Sequence, residues 1–151
     1  MKVYVESNFV LDLTLLQEQH TSCEGILRLC ESAGIQLAIP AYSLVEPYET
    51  LIRNHKQRKE IKADLDKQIG QIARTAGYSQ RLRGFQNLTA LLIDSAHEEA
   101  KGLELVRARL LKIAEIIPLE ADILVAAMRY QREHDLSPQD AVVYAHPITH
   151  K

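Results

Sequence analysis

Several residue types are scarce in this chain, and each scarcity excludes a class of protein. The 151 residues include only two cysteines, Cys23 and Cys30, so a disulfide framework is excluded and both thiols are expected in the core. Tryptophan is absent, and the six glycines and five prolines form no tract of the kind that indicates disorder. The hydrophobic fraction of 46% is enough for one globular domain, which we expect to span residues 1–151.

Long hydrophobic runs are also missing. No uncharged apolar segment approaches the ~18 residues that a membrane span requires. The first residues do not follow the basic-then-apolar layout of a signal peptide. We therefore expect a cytoplasmic protein without a membrane segment.

The net charge of −2 hides a strong asymmetry along the chain. Residues 53–112 contain thirteen Lys and Arg against seven Asp and Glu, whereas the rest contains five against thirteen. One interpretation is an acidic centre joined to a basic arm. The other is that long, solvated helices simply carry many charges of both signs.

The order of strand and helix patterns predicts an α/β fold with a small parallel sheet. Residues 2–5, 35–39 and 116–119 are predicted strands, and Pro118, which has no N–H, indicates a strand end or a sheet edge in the last one. Helices are predicted after each strand, with Ser7 and Asn8 as capping residues of the first helix and Ser43 and Ser137 as N-caps of later ones. Pro47 is expected to be harmless in a first turn, and Pro147 to end the last helix. Residues 55–114 lack any strand pattern, and two amphipathic helices around a break at 77–79 predict a helical hairpin arm.

Three carboxylates are predicted at one edge of this sheet. Glu6 follows the first strand, while Glu46 and Asp140 lie in the first turns of predicted helices, and strand ends and following helix starts share an edge. Carboxylate oxygens suit Mg²⁺ or Mn²⁺, which would orient water toward a phosphodiester. The alternative is that Glu46 and Asp140 only cap their helices and complement the helix dipole.

Three segments of the sequence resemble the PIN domain family. They are Val3 to Leu13, with its Glu-Ser-Asn; the helix start Ser43-Leu44-Val45-Glu46; and the Asp-Ala helix of residues 136–145. The family has a three-layer α/β/α fold, and many members are metal-dependent ribonucleases, including VapC-type toxins of toxin–antitoxin pairs. The resemblance implies that Glu6, Glu46 and Asp140 bind Mg²⁺ or Mn²⁺, supported by Ser7 or Asn8, and that RNA is a partner, with an antitoxin or another protein as a candidate second partner.

The chain departs from the PIN pattern at two places. Glu6 stands where the family usually has Asp, and its extra methylene moves the carboxylate outward. Only six residues follow residue 145, whereas the family continues to a further strand and a late acidic motif. We therefore expect a PIN-like sandwich that lacks the usual last strand. Residues 2–5 would then form an open edge, and the expected consequences are a homodimer paired through that edge, an exchange of elements between two copies, or a shortened PIN domain of low stability.

The expected function is that of a metal-dependent endoribonuclease with a basic arm that contacts the RNA backbone. The alternative is a catalytically degraded PIN-like module that binds RNA or a protein partner, because fold alone does not fix function. The candidate nucleic-acid contacts are Arg53, Lys56, Arg58, Lys59, Arg81 and Arg83.

Overall fold

The computed structural model describes residues 1–32, 34–78 and 81–149, with the side chains at 83, 86 and 147–149 excepted. The fold is α/β in general, 76% helical with one small parallel sheet of three strands. Ser79 of the predicted break and the side chain of Arg83 lie outside the described residues. The elements in chain order are β1 (Lys2–Tyr4), α1 (Ser7–Leu15), α2 (His20–Ser32), β2 (Gln36–Pro40), α3 (Ala41–Ile72), a 3₁₀ turn (Arg81–Gly84), α4 (Phe85–Ile113), β3 (Ala114–Ile117), α5 (Ala121–His134) and α6 (Pro138–Thr149).

The sheet has the order β1-β2-β3, and both pairings are parallel. Leu37, Ala38 and Ile39 of the central strand are completely buried. Because successive side chains of a strand point to opposite faces, β2 is covered on both sides. The third strand begins at Ala114, two residues earlier than predicted, and ends before Pro118, which has no N–H for a ladder bond.

Two helices pack against one face of this sheet. Small residues of α5 and α6 meet Ala38 and Ile117 in a buried cluster, and their size lets the helices approach the strands closely. Tyr130 of α5 and Tyr144 of α6 add an edge-to-face ring contact with centroids 5.1 Å apart. The buried members of the cluster are Ala38, Ile117, Ile123, Ala127, Ala141 and Ala145.

The end of α4 is tied to α2 by one arginine. Arg109 Nη1 donates to Glu24 Oε2 at 2.7 Å, and its Nε and Nη2 donate to the two oxygens of Glu31 at 2.8 and 3.1 Å. The hydrogen bonds from Arg109 lower the pKa of both carboxyl groups, and the two carboxylates raise the pKa of the guanidinium. This network therefore favours the ionised glutamates in the folded state.

The chain divides into two compact units. One comprises Met1–Pro47 with Leu103–Lys151 and contains the sheet; the other, Tyr48–Gly102, is helical. The hairpin arm was predicted at 55–114, so the helical unit begins and ends earlier than that segment. Its boundaries fall inside α3 and α4, at a proline and a glycine, the two residues least suited to a helix interior.

The predicted beginning of α3 was wrong, and the error changes the roles of two residues. The helix starts at Ala41, directly after β2, instead of at Leu44. Ser43 is therefore inside the first turn and is not the N-cap. Pro47 lies in the helix interior instead of the first turn, so it removes the N–H that would otherwise bond the Ser43 carbonyl.

Two further helix ends differ from the prediction. Glu6 is the N-cap residue of α1, with an extended backbone, and Ser7 is already helical instead of capping. At the other end of the chain, α6 continues past Pro147 to Thr149. A proline close to a helix end removes only one of the last hydrogen bonds, so the final turn still forms.

Both cysteines are free, with Cys23 buried and Cys30 partly buried. Burial raises the pKa of each thiol, as expected for structural rather than reactive cysteines. Across the part of the chain that the structure describes, no helix combines the length and apolar character needed to cross a bilayer.

Candidate functional site

A side-chain hydrogen bond joins the helix after β1 to the helix after β2. Ser7, the first residue of α1, donates its hydroxyl to Oε2 of Glu46 in the second turn of α3. Because β1 and β2 are parallel, their carboxyl ends and the helices that follow them lie at one edge of the sheet. Two of the three predicted motifs, 39 residues apart in sequence, are therefore in direct contact.

Ser7 is held firmly in this position. Its side chain is only 5% exposed, and its neighbours Phe9 and Val10 are buried on the same helix. A buried hydroxyl has few rotamers open to it, so the bond fixes the carboxylate of Glu46 as well. Glu46 itself is half-buried.

Glu6 lies immediately before this contact. The N–H of Val5 donates to the carbonyl of Ala38 at 3.0 Å, and the Glu6 carbonyl accepts from the N–H of Phe9 at 3.0 Å. The backbone around Glu6 is therefore fixed by the sheet on one side and by α1 on the other. Its half-buried side chain makes no capping hydrogen bond, so the carboxylate does not cap the beginning of α1. The side chain of Asn8 is exposed.

Ser43 also lies in this region, although its sequence context predicted an N-cap and no role in a site. It lies one turn before Glu46, on the same side of α3. Its side chain is fully buried, and its hydroxyl has no hydrogen-bond partner among the described residues. The local sequence contains no signal for this hydroxyl, because Pro47 four residues later affects only the Ser43 carbonyl.

Asp140 occupies the predicted position at the start of α6 and forms a reciprocal cap there. Its N–H donates to Ser137 Oγ at 3.1 Å, and that hydroxyl donates to Asp140 Oδ2 at 2.8 Å. Ser137 and Pro138 therefore have the predicted roles of N-cap and first helical residue. The following residue, Ala141, is anchored in the cluster with Ala38 and Ile117, while Asp140 is exposed.

The three predicted ligands differ in how the structure places them. The first two motifs meet through the Ser7–Glu46 bond, whereas Asp140 is engaged by its own N-cap. Among the described residues, no three His, Cys, Asp or Glu side chains are grouped closely enough to hold one ion. The shared ligand set of Glu6, Glu46 and Asp140 therefore stays a prediction from the sequence.

Comparisons with known proteins add no relative. No protein-family model, curated protein or solved structure matches the chain. The resemblance to PIN domains thus depends on the three sequence motifs. The contact between Ser7 and Glu46 is the structural observation that bears on them.

The basic candidates lie mainly in the helical unit. Arg58 Nη1 donates to Glu99 Oε1 at 2.8 Å and to Ser95 Oγ at 3.0 Å, so its charge is balanced within the chain. Arg53, Lys56, Lys59 and Arg81 are exposed. These four cations remain available to a polyanion, and the side chain of Arg83 lies outside the described residues.

Proposed function

We propose that this chain is a metal-dependent endoribonuclease of PIN type that hydrolyses RNA phosphodiester bonds with carboxylate-bound Mg²⁺ or Mn²⁺. The proposal includes a PIN-like α/β/α arrangement around the parallel sheet. The observation that supports it best is the hydrogen bond from Ser7 to Glu46 at the carboxyl end of β1 and β2. An acid held there by a buried serine is a positioned carboxylate at the edge where α/β proteins bind ligands.

The donor set has the chemistry that such a cation requires. Glu6 and Glu46 offer carboxylate oxygens, and the buried Ser43 hydroxyl lacks a partner in the described part of the chain. Hard cations prefer oxygen ligands of this kind. The cation would be held by Glu6, Glu46 and Asp140, and when bound it would neutralise their charges and act as a Lewis acid toward the phosphodiester.

The remaining residues of the site position the acids. Ser7 orients the Glu46 carboxylate by donating to its Oε2, and Oε1 would be the oxygen that binds the cation. Such supporting hydrogen bonds fix the direction of a ligand and are costly to lose. Asn8, exposed beside them, would contact the RNA or its bound water. Arg53, Lys59 and Arg81 would hold the RNA backbone without selecting a base sequence.

The alternative is a PIN-like module that binds RNA or a protein without catalysis. One observation favours it, namely that the three acids are not grouped as a metal site in the described residues. The longer side chain of Glu6 and the engagement of Asp140 by Ser137 are consistent with this alternative. The two proposals differ in one measurable property, because only the nuclease requires a competent metal site.

Titration with Mn²⁺ followed by calorimetry tests the proposal on the full chain. We expect saturable binding by the unchanged protein and loss of binding in both Glu46→Gln and Asp140→Asn. Asp122→Asn is the matched control, because Asp122 is also a first-turn acid but accepts the N–H of Ile123 at 2.9 Å within its own helix. Mn²⁺-dependent, EDTA-sensitive cleavage of RNA should follow the same pattern. Absence of binding in the unchanged chain would refute the nuclease and leave the binding module.

The substitution Glu6→Asp probes the departure from the family pattern. Shortening the side chain by one methylene should raise Mn²⁺ affinity, because octahedral cations tolerate displaced oxygens poorly. The same titration measures the change, with the exposed Glu49→Asp as a control for shortening an unrelated acid. An unchanged affinity would remove Glu6 from the ligand set.

A further inference from the structure

The helical unit carries an open apolar groove between α3 and α4. Its volume is about 320 Å³, and each helix lines it with four side chains at the spacing i, i+3, i+4 and i+7. Tyr48 and Ile52 each leave about half of their surface exposed there, at 50% and 52%. The lining residues are Tyr48, Leu51, Ile52 and His55 on α3, and Ile93, Ala96, His97 and Ala100 on α4.

The inner side of the groove can be recognised from one ion pair. Arg58 lies two helical turns after Leu51, on the same side of α3, and it reaches Ser95 and Glu99 of α4. The Leu51 side of α3 therefore faces α4. The residues that directly follow Tyr48 and His55 lie about 100° farther around α3, on the side that points away from α4. They therefore form the outer border of the groove.

Four charged residues occupy the outer borders in a repeated pattern. On α3 they are Glu49 and Lys56, each directly after a lining residue, and on α4 they are Asp94 and Lys101, also directly after lining residues. Each helix thus carries an acid followed seven residues later by a base. All four side chains are exposed, and within the described residues none of them takes part in an ion pair.

We propose that two copies of this chain associate groove to groove about a two-fold axis parallel to α3 and α4, forming an antiparallel four-helix bundle. This axis places α3 of one copy against α4 of the other, running in opposite directions. Glu49 then meets Lys101 of the partner subunit, and Lys56 meets Asp94 of the partner subunit, because both pairs of charges have the same seven-residue separation. Tyr48 and Ile52, which are about half exposed in a single copy, become buried at the centre of the bundle, where apolar side chains are favourable.

A two-fold axis across the helices is the competing arrangement. It would bring α3 against an antiparallel α3, where Glu49 would meet Lys56 of the partner subunit, so the border charges form four complementary pairs per dimer about either axis. The two axes differ in that only the proposed one pairs Lys56 with Asp94 of the partner subunit, so loss of the dimer without recovery in a mixture of charge-reversed variants would overturn the proposed axis. The dimer does not depend on the nuclease proposal, since every residue involved belongs to the helical unit.

Charge reversal tests the dimer and its axis together. Sedimentation velocity of the full chain at low salt, over a range of concentrations, measures the dissociation constant. Lys56→Glu and Asp94→Lys should each raise it about tenfold or more, because two attractions per dimer become repulsions. An equimolar mixture of the two variants should dimerise again, since each reversed charge then meets its complement. Arg53→Glu is the matched control on the far side of α3 and should leave the dimer unchanged.

Each outcome separates the proposal from its rivals. Loss of dimer in both single variants and its recovery in the mixture would establish the pairing of Lys56 with Asp94 of the partner subunit. A chain that stays monomeric would overturn the proposal and leave the groove to a different partner. A dimer that ignores both reversals would also overturn it, and would move the interface elsewhere, for example to the edge of β1.

Discussion

Removing the hydroxyl of Ser7 is the most direct perturbation of the candidate site. Ser7→Ala deletes the donor to Glu46 Oε2 while keeping the helix residue and adding no bulk. The site of the change is buried, so water cannot easily replace the lost donor from that side. The substitution therefore tests how strongly the opening motif is coupled to α3.

The magnitude follows from the charge and the burial of the two groups. A hydrogen bond to a charged acceptor contributes about 1.5–3 kcal/mol to stability. Because Glu46 is half-buried, its carboxylate recovers part of that energy from solvent, so we expect a loss of roughly 1–2 kcal/mol for Ser7→Ala. In a double-mutant cycle with Glu46→Ala, the coupling energy should have a similar size.

Urea unfolding followed by circular dichroism measures all four corners of this cycle. The two single variants and the double variant should have nearly the same free energy of unfolding if the bond is the main interaction of each side chain. Thr21→Ala, at an exposed position of α2, is a control for loss of a hydroxyl outside the site. A coupling energy below about 0.3 kcal/mol, within the range of independent sites, would refute the contact as a determinant of the site.

Three further predictions concern the rest of the fold. Ser137→Ala should cost about 1 kcal/mol, because it removes the N-cap of α6, and thermal unfolding should show a midpoint lower by about 2–4 °C. Leu110→Ala should cost about 2–5 kcal/mol in urea unfolding, since Leu110 is completely buried and the change leaves a cavity; a loss below about 1 kcal/mol would contradict that packing. Arg109→Gln should weaken the acid dependence of stability. The lowered pKa values of Glu24 and Glu31 contribute stability above the unfolded pKa of about 4.3, and this contribution is lost as the pH falls through the folded values. The stability curves of Arg109→Gln and the unchanged chain should therefore converge as the pH falls below the unfolded pKa and through the folded pKa values, and parallel curves would contradict the network.

Features set by local chemistry could be predicted from the sequence. The start of α6 is an example, since Ser137, Pro138 and Asp140 form a cap from residues that are neighbours in the chain. The presence and parallel direction of three strands also followed from short apolar runs separated by helices. The absence of a disulfide followed from an equally simple signal, since the chain contains only two cysteines.

Features set by distant partners could not be predicted. The pattern from Ser43 to Glu46 is a good local capping box, but pairing of Pro40 with Ile117 fixes where β2 ends and so where α3 begins. The start of β3 lies two residues earlier than predicted for the same reason, because Ala114 pairs with Leu37 far away in the sequence. Local propensity therefore cannot predict an element boundary that is set by pairing with a strand distant in the sequence.

Two of the three predicted acids share an arrangement that their sequence contexts do not reveal. In the described part of the chain, a serine hydroxyl binds Oε2 of Glu46, and another serine hydroxyl binds Oδ2 of Asp140. Each serine occupies one carboxylate oxygen and leaves the second free to act, so capping and metal binding are not mutually exclusive for Asp140. Glu6 makes no such capping bond and carries the longer side chain. If these acids act together, the freedom of the Glu6 side chain sets how tightly the site can hold a cation, and Glu6→Asp is the substitution that should tighten it.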